Sequence, residues 1–150
     1  MKFEIKNFSG FNSRMKKRVH DNTLKVSKAT MLRALDIVRS DIVKEINRGA
    51  KTGETYQLYN PTRTHRASAP GEFPATDTGF LVSNISTDMK VEQRDGGNDH
   101  IVGEIISSAP YAKHLEFGTR NMRARPYMQP GLARNAKKIE ALFKRKEYIK

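Results

Sequence analysis

The segment HDNTLKVSKATMLRALDIVRSDIVKEINR, residues 20–48, has apolar side chains mostly three or four positions apart and charged side chains largely between them. The apolar positions are Leu24, Met31, Leu35, Val38, Ile42 and Ile46. This spacing predicts one long amphipathic helix, with Asp21 or Asn22 as its N-terminal cap and Gly49 as its end. At about 1.5 Å per residue it spans about 40 Å, which is more than a compact domain of this size needs. We expect part of the helix to serve in assembly.

The second informative segment is ASAPGEFPATDTGFL, residues 67–81, which contains no obvious catalytic group. Prolines and glycines stand at set places in it, and short hydrogen-bonding side chains stand between them. Phe73 lies in the middle, and an apolar ring of this kind requires a pocket. The segment therefore predicts a shaped, ordered loop that docks on another surface, at the end of a long loop covering residues 50–76.

Two strands are predicted at residues 85–93 and 100–107, because they flank RDGGND, a sequence rich in turn residues. Gly103 interrupts the second strand, where we expect a bulge or a close backbone approach. Near the N-terminus, Phe3 and Ile5 alternate with charged residues, which predicts a short strand with one buried face.

Three more helices complete the expected architecture. The first begins at a cap on Asp77 or Thr78 and runs through Ile85. The second is YAKHLEFG, residues 111–118, with Gly118 as its end. The last begins at about Pro130. In the second helix Ala112, Leu115 and Phe117 are expected to point inward, and the last helix carries Leu132, Ala136, Ile139 and Phe143 on one face.

These elements predict an α+β fold, with a long N-terminal amphipathic helix packed on a small antiparallel sheet, a long ordered loop and a C-terminal helix. The 150 residues fit one domain, and the tail at residues 144–150 is expected to fray. The chain has no Cys, which excludes disulfides and Cys-ligated zinc. It has no long apolar run, so we expect a soluble protein without an ordinary export signal or membrane contact.

The net charge of +12 is unevenly distributed along the chain. Residues 1–76 carry +8, residues 77–117 carry −4 and residues 118–150 carry +8. A basic balance of this size is typical of a nucleic-acid contact, whereas the acidic middle favours neighbouring copies that meet through unlike surfaces in a ring. Charge alone leaves both interpretations open.

Catalytic and metal-binding patterns are weak. The four histidines are scattered, and His114 and Glu116 are two residues apart, which directs them to different sides of a helix. Asp77, Glu92, Glu104 and Glu116 invite comparison with a metal-dependent nuclease, but a helix cap or a solvated strand face explains the first three better. Ser68 lacks a nucleophile elbow, and GAKTGETY lacks the flanks of a phosphate-binding loop. We predict no enzyme, no metal and no cofactor.

The C-terminal third contains basic segments with two interpretations. Arg120, Arg123 and Arg125 lie beside Tyr127, an arrangement typical of a phosphate-contacting strip. The same residues, and lysines such as Lys137 and Lys138, are equally typical of a solvated face or a subunit contact. No recognition-helix pattern is present, so specific DNA reading is not expected, while non-specific contact with DNA stays open.

The two motifs together, ASAPGEFPATDTGFL and YAKHLEFGTRNMRARPYMQPGL at residues 111–132, resemble the tail-completion, or neck, proteins of long-tailed double-stranded DNA phages. The resemblance covers about residues 52–132, with the predicted hairpin between the motifs. It implies a small α+β virion protein that forms a ring at the head-to-tail junction, with DNA passing through the lumen. The residues it places at subunit or partner contacts are Pro70, Gly71, Glu72, Phe73, Pro74, Asp77, Arg123, Arg125, Pro126 and Tyr127. Candidate DNA contacts in the lumen are Arg63, Arg66, Arg120, Lys137 and Lys138.

We therefore predict a structural head-to-tail joining protein that assembles into a closed ring of six in the virion neck after synthesis in the host cytoplasm. Its predicted partners are other copies of itself, a head connector or head-closure protein, and a tail terminator or tail tube protein. The alternatives are a non-specific DNA-binding protein and a metal-dependent nuclease.

Overall fold

The computed structural model describes residues 8–59, 61–94 and 98–144, with side chains at residues 15–59, 61–92 and 100–144. In chain order the elements are α1 (Phe8–Arg48), β1 (Thr55–Tyr59), β2 (Thr62–Arg66), α2 (Phe80–Ser83), β3 (Ile85–Arg94), β4 (Asn98–Ser107), α3 (Ala112–Phe117) and α4 (Met128–Lys144). The predicted α+β class is confirmed, with a long N-terminal helix, two small antiparallel sheets and a C-terminal helix.

Helix α1 supplies one side of the core. It ends at Arg48 as predicted, and the Gly49 N–H donates to the Glu45 carbonyl at 2.9 Å. The predicted start was wrong, because Asp21 and Asn22 lie inside the helix, which begins at Phe8. A capping residue begins a helix only where the backbone before it leaves helical geometry, and the neighbouring residues hold no proline. The main cluster of buried core residues consists of Val38, Ile42, Ile46, Leu81, Ile85, Ala109, Ala112 and Tyr127.

Strands β3 and β4 form the predicted hairpin, with a continuous register from Ile85 opposite Ser107 to Arg94 opposite Asn98. One face of the hairpin lies along α1, and the Arg39 Nε donates to the Ile85 carbonyl at 2.9 Å. Gly103 marks a close approach and no bulge, since a Cβ there would lie 2.7 Å from the Met31 sulfur. Of the two alternatives for Gly103, the close approach is confirmed.

The predicted loop at residues 50–76 contains a second hairpin that the sequence did not indicate. Strands β1 and β2 pair antiparallel, from Thr55 opposite Arg66 to Tyr59 opposite Thr62. Most of their side chains are exposed on both faces. A two-faced polar ribbon lacks the apolar alternation that identifies a half-buried strand, so the prediction of a continuous loop was wrong.

The short helix α2 begins and ends differently from the prediction. Its N-terminal cap is Gly79, with φ 77°, and neither Asp77 nor Thr78 occupies that position. Asp77 instead pairs with Arg63. The helix ends at Ser83, and Ile85 already belongs to β3.

Helices α3 and α4 confirm part of the inward pattern. Ala112 is buried, and Leu115 and Ile139 pack on the core. Phe117 is 72% exposed, so its inward placement was wrong. Leu132, Ile139 and Phe143 of α4 line one apolar groove, as expected of residues that share a face, although Leu132 is 55% exposed. Helix α4 begins at Met128, two residues before Pro130.

The buried face of α4 carries Gly131 and Asn135. A Cβ at Gly131 would lie 2.3 Å from the Ile42 Cγ1, so the missing side chain lets α4 approach α1 closely. This approach sets the rotation of α4 and explains why Leu132 faces outward. The predicted strand at Phe3 and Ile5, the centre of the β3–β4 turn and the tail beyond Lys144 lie outside the described residues.

Candidate docking platform

Two segments that are distant in sequence form one surface, which we call the platform: residues 67–81 and residues 119–127. The Gly71 N–H donates to the Ala124 carbonyl at 2.9 Å. The Arg125 Nε donates to the Ser68 carbonyl at 3.0 Å, and its backbone N–H donates to the Leu115 carbonyl at 2.7 Å. The two motifs singled out in the sequence are therefore brought together by backbone and arginine contacts.

Glu72 fixes the loop from inside. Its carboxylate accepts hydrogen bonds from the Thr52 hydroxyl at 2.6 Å, the Thr52 N–H at 3.0 Å and the Ala69 N–H at 2.8 Å. Since these donors stabilise the charged form, chiefly the Thr52 hydroxyl, they lower the pKa of Glu72 to about 2. The carboxylate that the resemblance placed at a partner contact thus holds the loop in shape within its own chain.

Lys51 supports the same loop from the end of α1. Its Nζ donates to the Phe73 carbonyl at 2.9 Å and to the Glu45 carbonyl at 3.1 Å. Burial lowers the pKa of Lys51, and the nearby carboxylates Glu72 and Glu45 oppose that shift. The chain after α1 is thereby tied to the middle of the platform loop.

The pocket required by Phe73 lies in its own chain. The ring packs partly buried against the core, and the Arg134 guanidinium lies 5.8 Å from its centroid. Pro74 beside it is buried, whereas Pro70 and Gly71 are exposed. Gly71 has φ 83°, a left-handed conformation that glycine adopts readily, and no atom lies within 4 Å of the place where a Cβ would stand. The loop's apolar residues anchor it, and its Pro70–Gly71 tip faces outward.

The second segment is anchored by Glu116, a residue that the sequence did not single out for this role. Its carboxylate accepts hydrogen bonds from the N–H groups of Tyr127, Met128 and Gln129 at 2.9, 3.0 and 3.0 Å. These are free donors of the first turn of α4, so Glu116 caps that helix from eleven residues away. No spacing rule for local caps finds such a residue.

Tyr127 closes the core under the platform. It is 1% exposed, and its hydroxyl donates to the Ser107 Oγ at 2.8 Å. Burial is the main cause that raises the pKa of Tyr127. Arg123 is exposed and Pro126 half-buried, so the exposed part of this segment lies before Tyr127.

A cleft of about 270 Å³ opens between the platform loop and α3. The exposed rings of Phe80 and Tyr111 lie at its side, with centroids 6.1 Å apart. Asp77 also lines the cleft, with Arg63 ion-paired to it and the His65 Nδ1 at 3.8 Å. The cleft offers aromatic surface and locally balanced charge, which suit the binding of a protein segment.

The candidate DNA contacts lie on three separate parts of the fold. Arg63 and Arg66 are on β2, where Arg66 is exposed and its Nε donates to the Gly53 carbonyl at 3.4 Å. Arg120 is exposed after α3, and Lys137 and Lys138 are exposed on α4. The structure thus pairs one of these five residues, Arg63, with a carboxylate and leaves the others at the surface.

Within the side chains that the structure describes, no three histidine or carboxylate groups are placed to hold a metal ion. None of the described helices is long and apolar enough to cross a membrane. The arrangement consists of a fixed platform with an exposed tip and an aromatic side, which is typical of the class of proteins that bind other proteins.

The comparisons with known proteins agree with that class. The family model described as "Bacteriophage HK97-gp10, putative tail-component" matches residues 9–118. The chain belongs to this HK97-gp10-like family and is a phage tail-related structural protein. No curated protein and no solved structure gave a match.

Proposed function

We propose that the protein forms a closed ring at the junction of the phage head and tail, joining the head connector to the tail terminator or tail tube, with DNA passing through the lumen. The observation that carries this proposal is the membership in a phage tail-component family of a chain whose platform is fixed before any partner binds. The ring size of six, the flanking partners and the location in the virion neck belong to the same proposal.

The platform supports this role because little conformational entropy is lost when it binds a partner. Glu72, Lys51 and Arg125 already hold the loop, so docking does not have to order it. The exposed residues Pro70, Gly71 and Arg123 then contact the neighbouring subunit or ring protein, together with Phe80 and Tyr111. In this proposal Glu72, Phe73, Pro74 and Tyr127 act by shaping the contact surface.

A second candidate function, non-specific DNA contact, is favoured by the exposure of Arg66, Arg120, Lys137 and Lys138 on a chain of net charge +12. These residues fit phosphate contacts inside a lumen as well as binding by an isolated chain. The nuclease alternative has less support, since Asp77 pairs with Arg63 and Glu116 caps α4. Glu92 and Glu104 lie on the hairpin.

The test is electron microscopy of virion necks that carry a tagged copy of the protein. We expect a ring at the head-to-tail junction, and a phage that lacks the protein should accumulate DNA-filled heads apart from tails. A single copy per virion, or normal joining without the protein, would refute the proposal. Tight, steeply salt-dependent DNA binding by a chain that never assembles would support the second candidate instead.

The platform is tested in the same phage by Phe80→Asp, which places a charge beside Tyr111 at the exposed side of the cleft. We expect a loss of head-to-tail joining with an unchanged melting temperature. Tyr59→Asp is the control, because Tyr59 is 82% exposed on β1 and lies outside the platform. If Phe80→Asp joins heads to tails as well as Tyr59→Asp does, the platform is not part of the contact.

A further inference from the structure

The N-terminal part of α1 projects as a helix without cover. Residues 15–23 are all exposed, and we call them the arm. From Met15 to Thr23 the helix extends about 13 Å at 1.5 Å per residue. A helix in water without tertiary contacts is only marginally stable, so an uncovered stretch of this length suggests a partner that packs on it.

The arm carries an apolar stripe flanked by cations. Met15 and Val19, 50% and 61% exposed, are four residues apart and therefore share one side of the helix. At 100° per residue, Lys16 and Arg18 fall on the two sides of this stripe. The described ion pairs include neither of them, so their charges are available to a partner.

The β3–β4 hairpin has a matching bare face. The inner face of the hairpin lies on α1 at Met31. The alternate residues of both strands point away from α1. The outward residues are Ser86, Asp88, Lys90, Glu92, His100, Val102, Glu104 and Ile106. Three carboxylates thus share this face with one lysine, and Ile106, 39% exposed, adds apolar surface.

Local contacts do not balance the charge of this face. Asp88 and Glu104 are directly opposite in the register, a like-charge arrangement that destabilises a strand pair. Lys90 lies between them, 3.4 Å from Asp88 and 3.7 Å from Glu104, which leaves a net negative charge. A cationic partner on this face would relieve the repulsion that remains.

We propose that the arm of one copy packs across the outward face of the β3–β4 hairpin of a second copy, with Lys16 and Arg18 against Glu92 and Glu104. This interface rests on the proposed ring and identifies one of its contacts. Within one chain, a helix covers a single face of the β3–β4 hairpin. The arm of the second copy would add a layer on the other face. Because the arm and the hairpin face are different surfaces, the contact is head-to-tail and can close into a ring.

The test uses reversed charges in the full chain, measured by sedimentation and electron microscopy at low salt. Lys16→Glu/Arg18→Glu and Glu92→Lys/Glu104→Lys should each weaken self-association roughly 100-fold, because like charges then face each other. An equimolar mixture of the two variants should regain rings with alternating copies. Lys44→Glu/Arg48→Glu, which reverses two exposed charges at the other end of α1, should assemble like the wild type.

Circular dichroism and the melting temperature show that each variant is folded. Wild-type rings together with normal assembly of both variants would overturn the interface and leave the proposed ring intact. Failure of the mixture to assemble, when each variant alone is folded and monomeric, would also overturn it. A wild-type chain that stays monomeric at high concentration would count against the interface and the ring together.

Discussion

Single carboxylates hold the platform by accepting backbone hydrogen bonds at places where the chain turns. Glu72 collects donors from Thr52 and Ala69, and Glu116 collects three from the start of α4. Hydrogen bonds to a charged acceptor are stronger than those between neutral groups. Two acidic residues on a basic chain therefore act as fixed points of its structure.

The hydrogen bonds that Glu72 accepts from Thr52 and Ala69, which we call the clamp, predict a particular pH dependence. The pKa of Glu72 in the folded chain, about 2, lies below its ordinary value of 4.5, so the charged form is favoured by folding. Its stabilisation is complete above about pH 4.5 and disappears as the pH falls toward 2. We expect the amide hydrogens of Thr52 and Ala69 to stay protected from exchange at pH 4 and to lose protection near pH 2.

Nuclear magnetic resonance across this pH range measures both the exchange and the Glu72 titration. Glu72→Gln should reduce the protection at pH 4 to about the level that the wild type shows near pH 2. Glu140→Gln, which changes an exposed carboxylate paired with Lys144, should not. A Glu72 midpoint near 4.5 would show that the clamp is not formed in solution.

At the scale of elements, the packing of α4 against α1 is set by small and polar residues. Gly131 allows the close approach, and Asn135, 1% exposed, donates from its Nδ2 to the Asp41 carboxylate and to the Gly131 carbonyl, each at 2.9 Å. Arg134 adds a contact to Glu45 at 3.1 Å. The rotation that results leaves Leu132 and Phe143 beside an apolar groove of about 370 Å³.

Because of this packing, we expect Gly131→Ala to lower the stability of the protein, although the same change in most helices raises it. Alanine favours a helix over glycine by about 1 kcal/mol, so without a contact the change would stabilise the protein. Because the new Cβ would lie 2.3 Å from the Ile42 Cγ1, we expect a net destabilisation of about 1–3 kcal/mol. Urea unfolding measures it, with Gln129→Ala, exposed on the same helix, as the control. A gain in stability would place α4 farther from α1.

At the scale of the whole molecule, the arm and the rest of the described chain, residues 24–144, which we call the body, have separate energetic roles. Among residues 15–48 of α1, the buried ones begin at Ala34, whereas residues 15–23 are all exposed. Burial of apolar surface is the main source of stability, so the arm contributes little to the fold of one chain. What it offers is surface for a second chain.

The double substitution Met15→Gln/Val19→Gln separates these two roles. We expect the free energy of unfolding to change by less than about 1 kcal/mol, since both side chains are exposed. Self-association should be lost under conditions in which the wild type forms rings. Unfolding by urea and sedimentation measure the two effects. A large loss of stability would mean that the body depends on the arm.

Much of this architecture follows from local sequence patterns. The C-terminal end of α1, the β3–β4 hairpin and α3 follow from apolar periodicity and turn residues, because each buries one face and ends at glycine or a turn. The β1–β2 hairpin escapes prediction because both of its faces are exposed. The early start of α1 escapes because nothing in the arm is buried.

The sequence by itself determined the class of the fold, the basic charge and the two motifs that resemble a phage family, since these are local or additive properties of the residues. Only the tertiary structure decided what each motif residue does. Phe73 packs against the core of its own chain, Glu116 caps α4, and Gly131 allows α4 to approach Ile42 closely. These outcomes depend on distances between residues far apart in the chain, which no local pattern encodes.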